Sequence, residues 1–130
     1  MKTILVDAID CFVIEDEKGF RIFQEMRDLL DIFSNRKILL TGANDDQFQK
    51  FGLDKAPYEV FTLKHDPEKT DSKYYEIMLQ HFGLEKGDVV YFEHDPDAVK
   101  SAQSVGIKSY HYDQEKKDLK ALKVFLDESV

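Results

Sequence analysis

The sequence predicts an α/β domain: a five-stranded, mainly parallel sheet with helices on both faces. Two observations predict it. Short apolar runs rich in Ile, Val and Leu alternate along the whole chain with segments whose apolar residues recur at helical spacing. Strand–helix–strand order implies right-handed crossovers and a parallel sheet covered on both sides. A third observation places the chemistry. The first apolar run, Thr3-Ile4-Leu5-Val6, leads straight into Asp7, and ligands of open α/β sheets sit beyond the carboxyl ends of strands.

Lys2 to Val6 forms the first strand. Phe12 to Ile22 encloses Glu15-Asp16-Glu17-Lys18-Gly19 between two apolar pieces and reads as a small hairpin turning at Gly19, with a solvated acidic tip. Phe23, Met26, Leu30 and Phe33 mark an amphipathic helix. Lys37 to Thr41 is the second long strand, and Gly42-Ala43-Asn44 turns into a short helix from Asp45 to Phe51. Tyr58 to Thr62 is the next strand, opened by Pro57. Tyr75, Met78, Leu79 and Phe82 share one face of a helix over Ser72–Phe82, which Gly83 ends. Val89 to Phe92 is a strand and Asp97 to Val105 a helix stopped by Gly106. Lys108 to Tyr112 is the last strand, and Lys116 to Glu128 closes the chain as a helix.

A length of 130 residues suits one domain over 1–130. The 26 acidic residues outnumber the 18 basic ones, for a net charge of −8, which argues against a nucleic-acid partner. The single cysteine, Cys11, excludes an internal disulfide and fits a reducing, cytoplasmic setting. No leader or membrane-spanning run is visible, so no membrane partner is expected.

The strand ends carry a carboxylate (Asp7), a hydroxyl (Thr41) and an acidic cluster (Glu93-His94-Asp95-Pro96-Asp97). Lys69 stands just before the helix that starts at Ser72. These are the parts phosphoryl transfer needs: a nucleophile, groups that hold phosphate oxygens, a cation that neutralises charge, and acids that hold a divalent ion. Each also has a plainer reading. Asp95 and Asp97 flank Pro96 at a helix start, where capping favours Asp. Lys73 competes with Lys69. His65, His81 and His111 read as surface residues, Tyr74, Tyr75, Tyr110 and Tyr112 as core edges, and Cys11 as a small packed residue.

With these motifs in this order, the chain resembles the haloacid-dehalogenase superfamily. The family's first motif is matched by Asp7-Ala8-Ile9-Asp10-Cys11, its second by Ile38-Leu39-Leu40-Thr41-Gly42, its third by Lys69-Thr70-Asp71-Ser72, and its fourth by Val90-Tyr91-Phe92-Glu93-His94-Asp95-Pro96-Asp97. The resemblance implies a three-layer, Rossmann-like sandwich with strand order 5-4-1-2-3. It implies Asp7 as nucleophile, Thr41 and Lys69 as phosphate-holding catalytic residues, and Mg²⁺ held by Asp7, the Ile9 backbone carbonyl, Glu93, His94 and Asp95. Two departures stand out. Ile9 occupies the position of the family's proton-donating Asp, leaving Asp10 next door as the substitute acid. Glu93-His94 replaces the usual Gly-Asp or Asp-Asp. The segments 12–22 and 42–57 are too short for a sizeable cap domain, so an oligomer or a large ligand would have to cover the site.

The expected function is a phosphatase-type hydrolase with a degenerate site, acting on a phosphorylated small molecule or macromolecule. A non-catalytic binding module on the same fold is the alternative. A response-regulator receiver fits less well, because the strand Tyr58–Thr62 is followed by Leu63-Lys64 where a phosphoacceptor Asp is needed.

Overall fold

A computed structural model describes residues Met1–Val130. Strands β1 (Thr3–Asp7), β4 (Lys37–Thr41), β5 (Glu59–Thr62), β6 (Val89–Glu93) and β7 (Lys108–His111) form one sheet, while β2 (Val13–Asp16) and β3 (Gly19–Ile22) pair only with each other. The helices are α1 (Gln24–Asp31), α2 (Asp45–Lys50), α3 (Ser72–Phe82), α4 (Pro96–Ser104) and α5 (Leu119–Ser129). No helix is long and apolar enough to cross a membrane.

Every pairing in the large sheet is parallel. The strand order is β5-β4-β1-β6-β7, which is the expected 5-4-1-2-3 of the five sheet strands renumbered and read from the other edge. The expected numbering ran over five strands. The two strands that follow β1 leave the sheet as an antiparallel hairpin, so β4 and β6 are the neighbours of β1.

The core has two parts, one on each face of the sheet. Successive side chains of a strand point to opposite faces. Ile4 and Val6 therefore join Leu39, Val90 and Phe92 against Met26 and Leu30 of α1 and Leu122 and Leu126 of α5. Leu5 joins Ile38, Leu40 and Tyr91 against Tyr74, Tyr75 and Met78 of α3 and Ala102 of α4. All five residues of β1 are buried, as a central parallel strand covered on both faces should be. Tyr74 and Tyr75, expected at core edges, are fully buried.

Several boundaries shift for local reasons. α5 begins at Leu119 rather than Lys116. Asp113 accepts the N–H groups of Glu115 and Lys116, Lys117 adopts a positive φ of 48°, and Asp118 caps the helix by accepting from the Ala121 N–H. α4 begins at Pro96, with Asp95 as its cap. Pro suits a first helical position, where its missing N–H costs nothing. α3 ends on Gly83 at φ 65°, a left-handed conformation that glycine adopts without strain.

The short helix α2 is held by a reciprocal cap. The Asn44 side chain accepts the Gln47 N–H at 2.9 Å, and the Gln47 side chain accepts the Asn44 N–H at 3.0 Å. Asn44→Ala is expected to lower the unfolding free energy by about 1 kcal/mol, read as a shifted midpoint in urea with an unchanged slope.

Candidate active site

The register brings three strand ends to one edge. Val6 lies opposite Phe92, and Asp7 lies opposite Leu40. Asp7 therefore ends β1 between Thr41 at the end of β4 and Glu93 at the end of β6. The expected convergence of the Asp7 and Glu93–Asp97 loops is what the sheet produces.

Lys69 reaches into this edge from the segment before α3. Its Nζ donates to Asp7 Oδ1 at 2.7 Å and to Glu93 Oε1 at 2.6 Å. Asp7 is 1% exposed and Glu93 is fully buried. His94 completes the cluster. Its backbone N–H donates to Asp7 Oδ2 at 3.2 Å, and its ring Nδ1 donates to the same oxygen. That Nδ1 also lies 3.1 Å from Glu93 Oε2. The Tyr91 hydroxyl donates to Glu93 Oε1, and the Asp95 N–H donates to Glu93 Oε2 at 3.0 Å. His111 Nε2 donates to the His94 carbonyl at 2.9 Å and steadies the loop.

The remaining expected residues are placed differently. Asp95 spends its carboxylate on the Asp97 N–H at the start of α4. Asp10 sits in a tight turn at φ 74°, with its N–H on the Val13 carbonyl at 2.7 Å. Its carboxylate faces His94 Nε2 at 3.5 Å. Thr41 is buried, and its Oγ1 accepts the Ala43 N–H at 3.1 Å.

A cleft of about 170 Å³ opens over Asp7, lined by Ile9, Thr41, Gly42, Lys69 and His94, with Gln47, Phe51 and His65 on its far side. Neither Asp10 nor Asp95 lines it. His65, expected to be an ordinary surface residue, is part of this wall. Its ring bridges Gln47 Oε1 at 2.6 Å and Glu68 Oε1 at 2.5 Å. The one local signal for it is Gly42: a Cβ there would lie 3.3 Å from His65 Nδ1. Phe51 is backed by Phe20 of the hairpin, with ring centroids 4.5 Å apart. The hairpin thus braces the cleft wall.

Charges in the cluster shift one another. Burial and the neighbouring Glu93 push Asp7 up to about 6, against the pull of Lys69 and His94. Burial pulls Lys69 down, but Asp7 and Glu93 outweigh it and hold the ammonium well above its usual range. Glu93 is held well below its usual value, because Lys69 and the His94 bond overcome its burial. Burial also lowers His94, yet the bonds to Asp7 and Glu93 prevail and raise it to about 10. A raised histidine contributes stability that is complete below its unfolded value near 6.5 and is lost as pH climbs through the folded value. Unfolding free energy in urea is therefore expected to fall by roughly 1–2 kcal/mol between pH 7 and 10 through this group, and His94→Gln to flatten that slope.

Asp7, Cys11 and His94 each offer a ligand atom within 4.8 Å of the others, so they form a group able to hold a metal ion. Their oxygen, sulfur and nitrogen suit a zinc-like ion. Mg²⁺ takes oxygen ligands, and here the carboxylate oxygens of Asp7 and Glu93 all have protein donors. The residues present do not fit Mg²⁺.

No family model matches the chain, and no curated protein matches it in sequence. Solved structures do. A haloacid-dehalogenase-family enzyme of Bacteroides thetaiotaomicron superimposes with a TM-score of 0.70 at 12% identity, over 85% of this chain and 93% of that one. The chain has the haloacid-dehalogenase-like fold. That enzyme was solved as an aspartate-to-alanine mutant with magnesium and inorganic phosphate. An uncharacterised protein of Corynebacterium glutamicum shares the fold at TM-score 0.64 and 16% identity, over 96% of this chain and 95% of that one. A haloacid-dehalogenase-like protein of unknown function from Agrobacterium tumefaciens does so at TM-score 0.59 and 16% identity, over 85% of this chain and 64% of that one. In the haloacid-dehalogenase-like fold of this chain, the edge that gathers Asp7, Thr41, Lys69 and Glu93 is the carboxyl end of the sheet.

Proposed function

We propose that this chain is a capless, single-domain phosphohydrolase of attenuated activity, with Asp7 as the phosphoryl acceptor. One observation carries the reading: Asp7 lines the cleft, with Lys69 Nζ 2.7 Å from one of its carboxylate oxygens.

In this reading an Asp7 oxygen attacks phosphorus and the bond from phosphorus to the leaving group breaks, giving an aspartyl phosphate. Water then attacks that phosphorus and releases phosphate, returning the carboxylate. Lys69 neutralises charge as the anion approaches. Thr41 and the backbone at Gly42 border the space for phosphate oxygens. An alkoxide leaving group needs a proton, and Ile9, which lines the cleft, has none to give. Losing a general acid typically costs roughly 10²–10⁴-fold in rate. A carboxylate leaving group needs no proton, so acyl phosphates and phosphoanhydrides are the favoured class. In this reading only the short hairpin and the 42–57 segment stand where a cap would be inserted, and an open site weakens electrostatic catalysis.

The test is labelling with acyl phosphate. Incubation with acetyl phosphate, followed by rapid quenching and peptide mass spectrometry, is expected to place the phosphoryl group on Asp7, and Asp7→Asn to abolish it. Label on a different aspartate, or fast turnover of alkyl phosphates, would overturn the proposal.

The non-catalytic alternative has one specific observation in its favour. Asp7 is 1% exposed and both of its oxygens are engaged. It predicts no label at all and ligand binding unchanged in Asp7→Asn.

A further inference from the structure

The ring of His94 lies between three carboxylates. Asp7 Oδ2 accepts from its Nδ1, Glu93 Oε2 is 3.1 Å from that same nitrogen, and Asp10 Oδ2 is 3.5 Å from Nε2. We propose that this site takes a phosphoryl oxyanion without Mg²⁺ or a similar oxygen-seeking cation, the His94 ring standing where such a cation would be held against Asp7. The ligand class rests on the phosphoryl-site reading above; the role of His94 is argued from the cluster itself.

The first reason is occupancy of the donor set. Asp7 Oδ1 takes Lys69, and Asp7 Oδ2 takes the His94 ring, the His94 N–H and the Cys11 thiol at 3.3 Å. Glu93 Oε1 takes Lys69 and the Tyr91 hydroxyl, and Glu93 Oε2 takes the Asp95 N–H. Asp95 caps α4, so the second acid of the loop turns away. A Mg²⁺ ion needs oxygens at about 2.0–2.1 Å in near-octahedral geometry, and would have to break several of these bonds to find them.

The second reason is charge. Two buried carboxylates, Asp7 and Glu93, face the ammonium of Lys69 and the ring of His94. Nδ1 donates to Asp7, and Nε2 lies at ion-pair distance from Asp10, an arrangement that favours the imidazolium. Within the buried set the two negative and two positive charges cancel, and Asp10 at its edge adds a third carboxylate. A divalent ion added to this set would leave an excess of positive charge among groups that already satisfy one another.

The third reason is that the ring is held in place rather than free to swing. The backbone N–H of His94 is tied to Asp7, and its carbonyl is tied to His111 Nε2 at 2.9 Å. The residue also lines the cleft beside Lys69, so its edge and the ammonium flank the space an oxyanion would enter. His94 thus supplies one positive charge beside the cleft where a metal would supply two.

Two measurements test this on the whole chain. In the first, orthovanadate binding is followed by calorimetry in excess EDTA and again in excess Mg²⁺. The expected affinities agree within about twofold. Binding that appears only with Mg²⁺ overturns the proposal. In the second, the electron paramagnetic resonance signal of Mn²⁺ is titrated with protein. The wild type is expected to leave the signal of the free ion unchanged, and His94→Asp to quench it by opening an oxygen site. Quenching by the wild type that Asp7→Asn relieves overturns the proposal. Absence of vanadate binding in both media defeats the phosphoryl-site reading and the ligand named here, while the Mn²⁺ signal still decides whether His94 replaces the cation.

Discussion

Replacing Lys69 by methionine is expected to lower the unfolding free energy by about 3–5 kcal/mol at pH 7. Lys69 joins two carboxylates that are 1% and 0% exposed. Methionine fills similar volume, so lost packing contributes little. What remains is a pair of buried acids that repel each other, with only His94 to balance them. Asp7 already titrates near 6 because burial and Glu93 push it up, and loss of the ammonium pushes both acids higher. A folded pKa raised above the unfolded value gives a contribution present at low pH and lost as pH rises. The deficit of Lys69→Met is therefore expected to shrink between pH 7 and pH 5. Urea denaturation at both values measures it. A deficit that stays constant with pH would show that the lysine acts through packing rather than charge.

Ile9→Asp is expected to raise turnover of an alkyl phosphate by about 10²-fold or more, with Ile9→Asn as the control that restores polarity without a proton. Ile9 lines the cleft over Asp7, while the adjacent Asp10 is turned towards His94 and does not line it. The missing function is thus proton delivery at one position on the wall, which one carboxyl can supply. Acyl phosphate turnover should change far less, because its leaving group departs as a stable anion. The split between the two substrates is the informative readout. An equal gain on both would mean that the new carboxylate acts on ligand binding or on loop geometry instead.

Much of the fold follows from short-range pattern. The apolar run before Asp7, the alternation of strand and helical periods and the helix-ending Gly83 and Gly106 are written within a few residues of each other, and local sterics and burial act over that range. The hairpin at Gly19 is equally local. Its consequence is not: whether β2 and β3 join the large sheet depends on which edges are free, and they pair with each other alone.

The sequence by itself determined that Asp7 ends a buried strand, that Lys69 precedes a helix, and that Ile9 has no proton to give. Only the tertiary structure decided how these residues are used. Asp7 meets Lys69 across 62 positions of chain and His94 across 87, and those meetings depend on strand order and register rather than on neighbours in sequence. The same distance from local rules brought His65 into the cleft wall and set the His94 ring against Asp7. A side chain's direction at a strand end is decided by which partner satisfies its charge once water is excluded, and that partner is named only when the sheet is assembled.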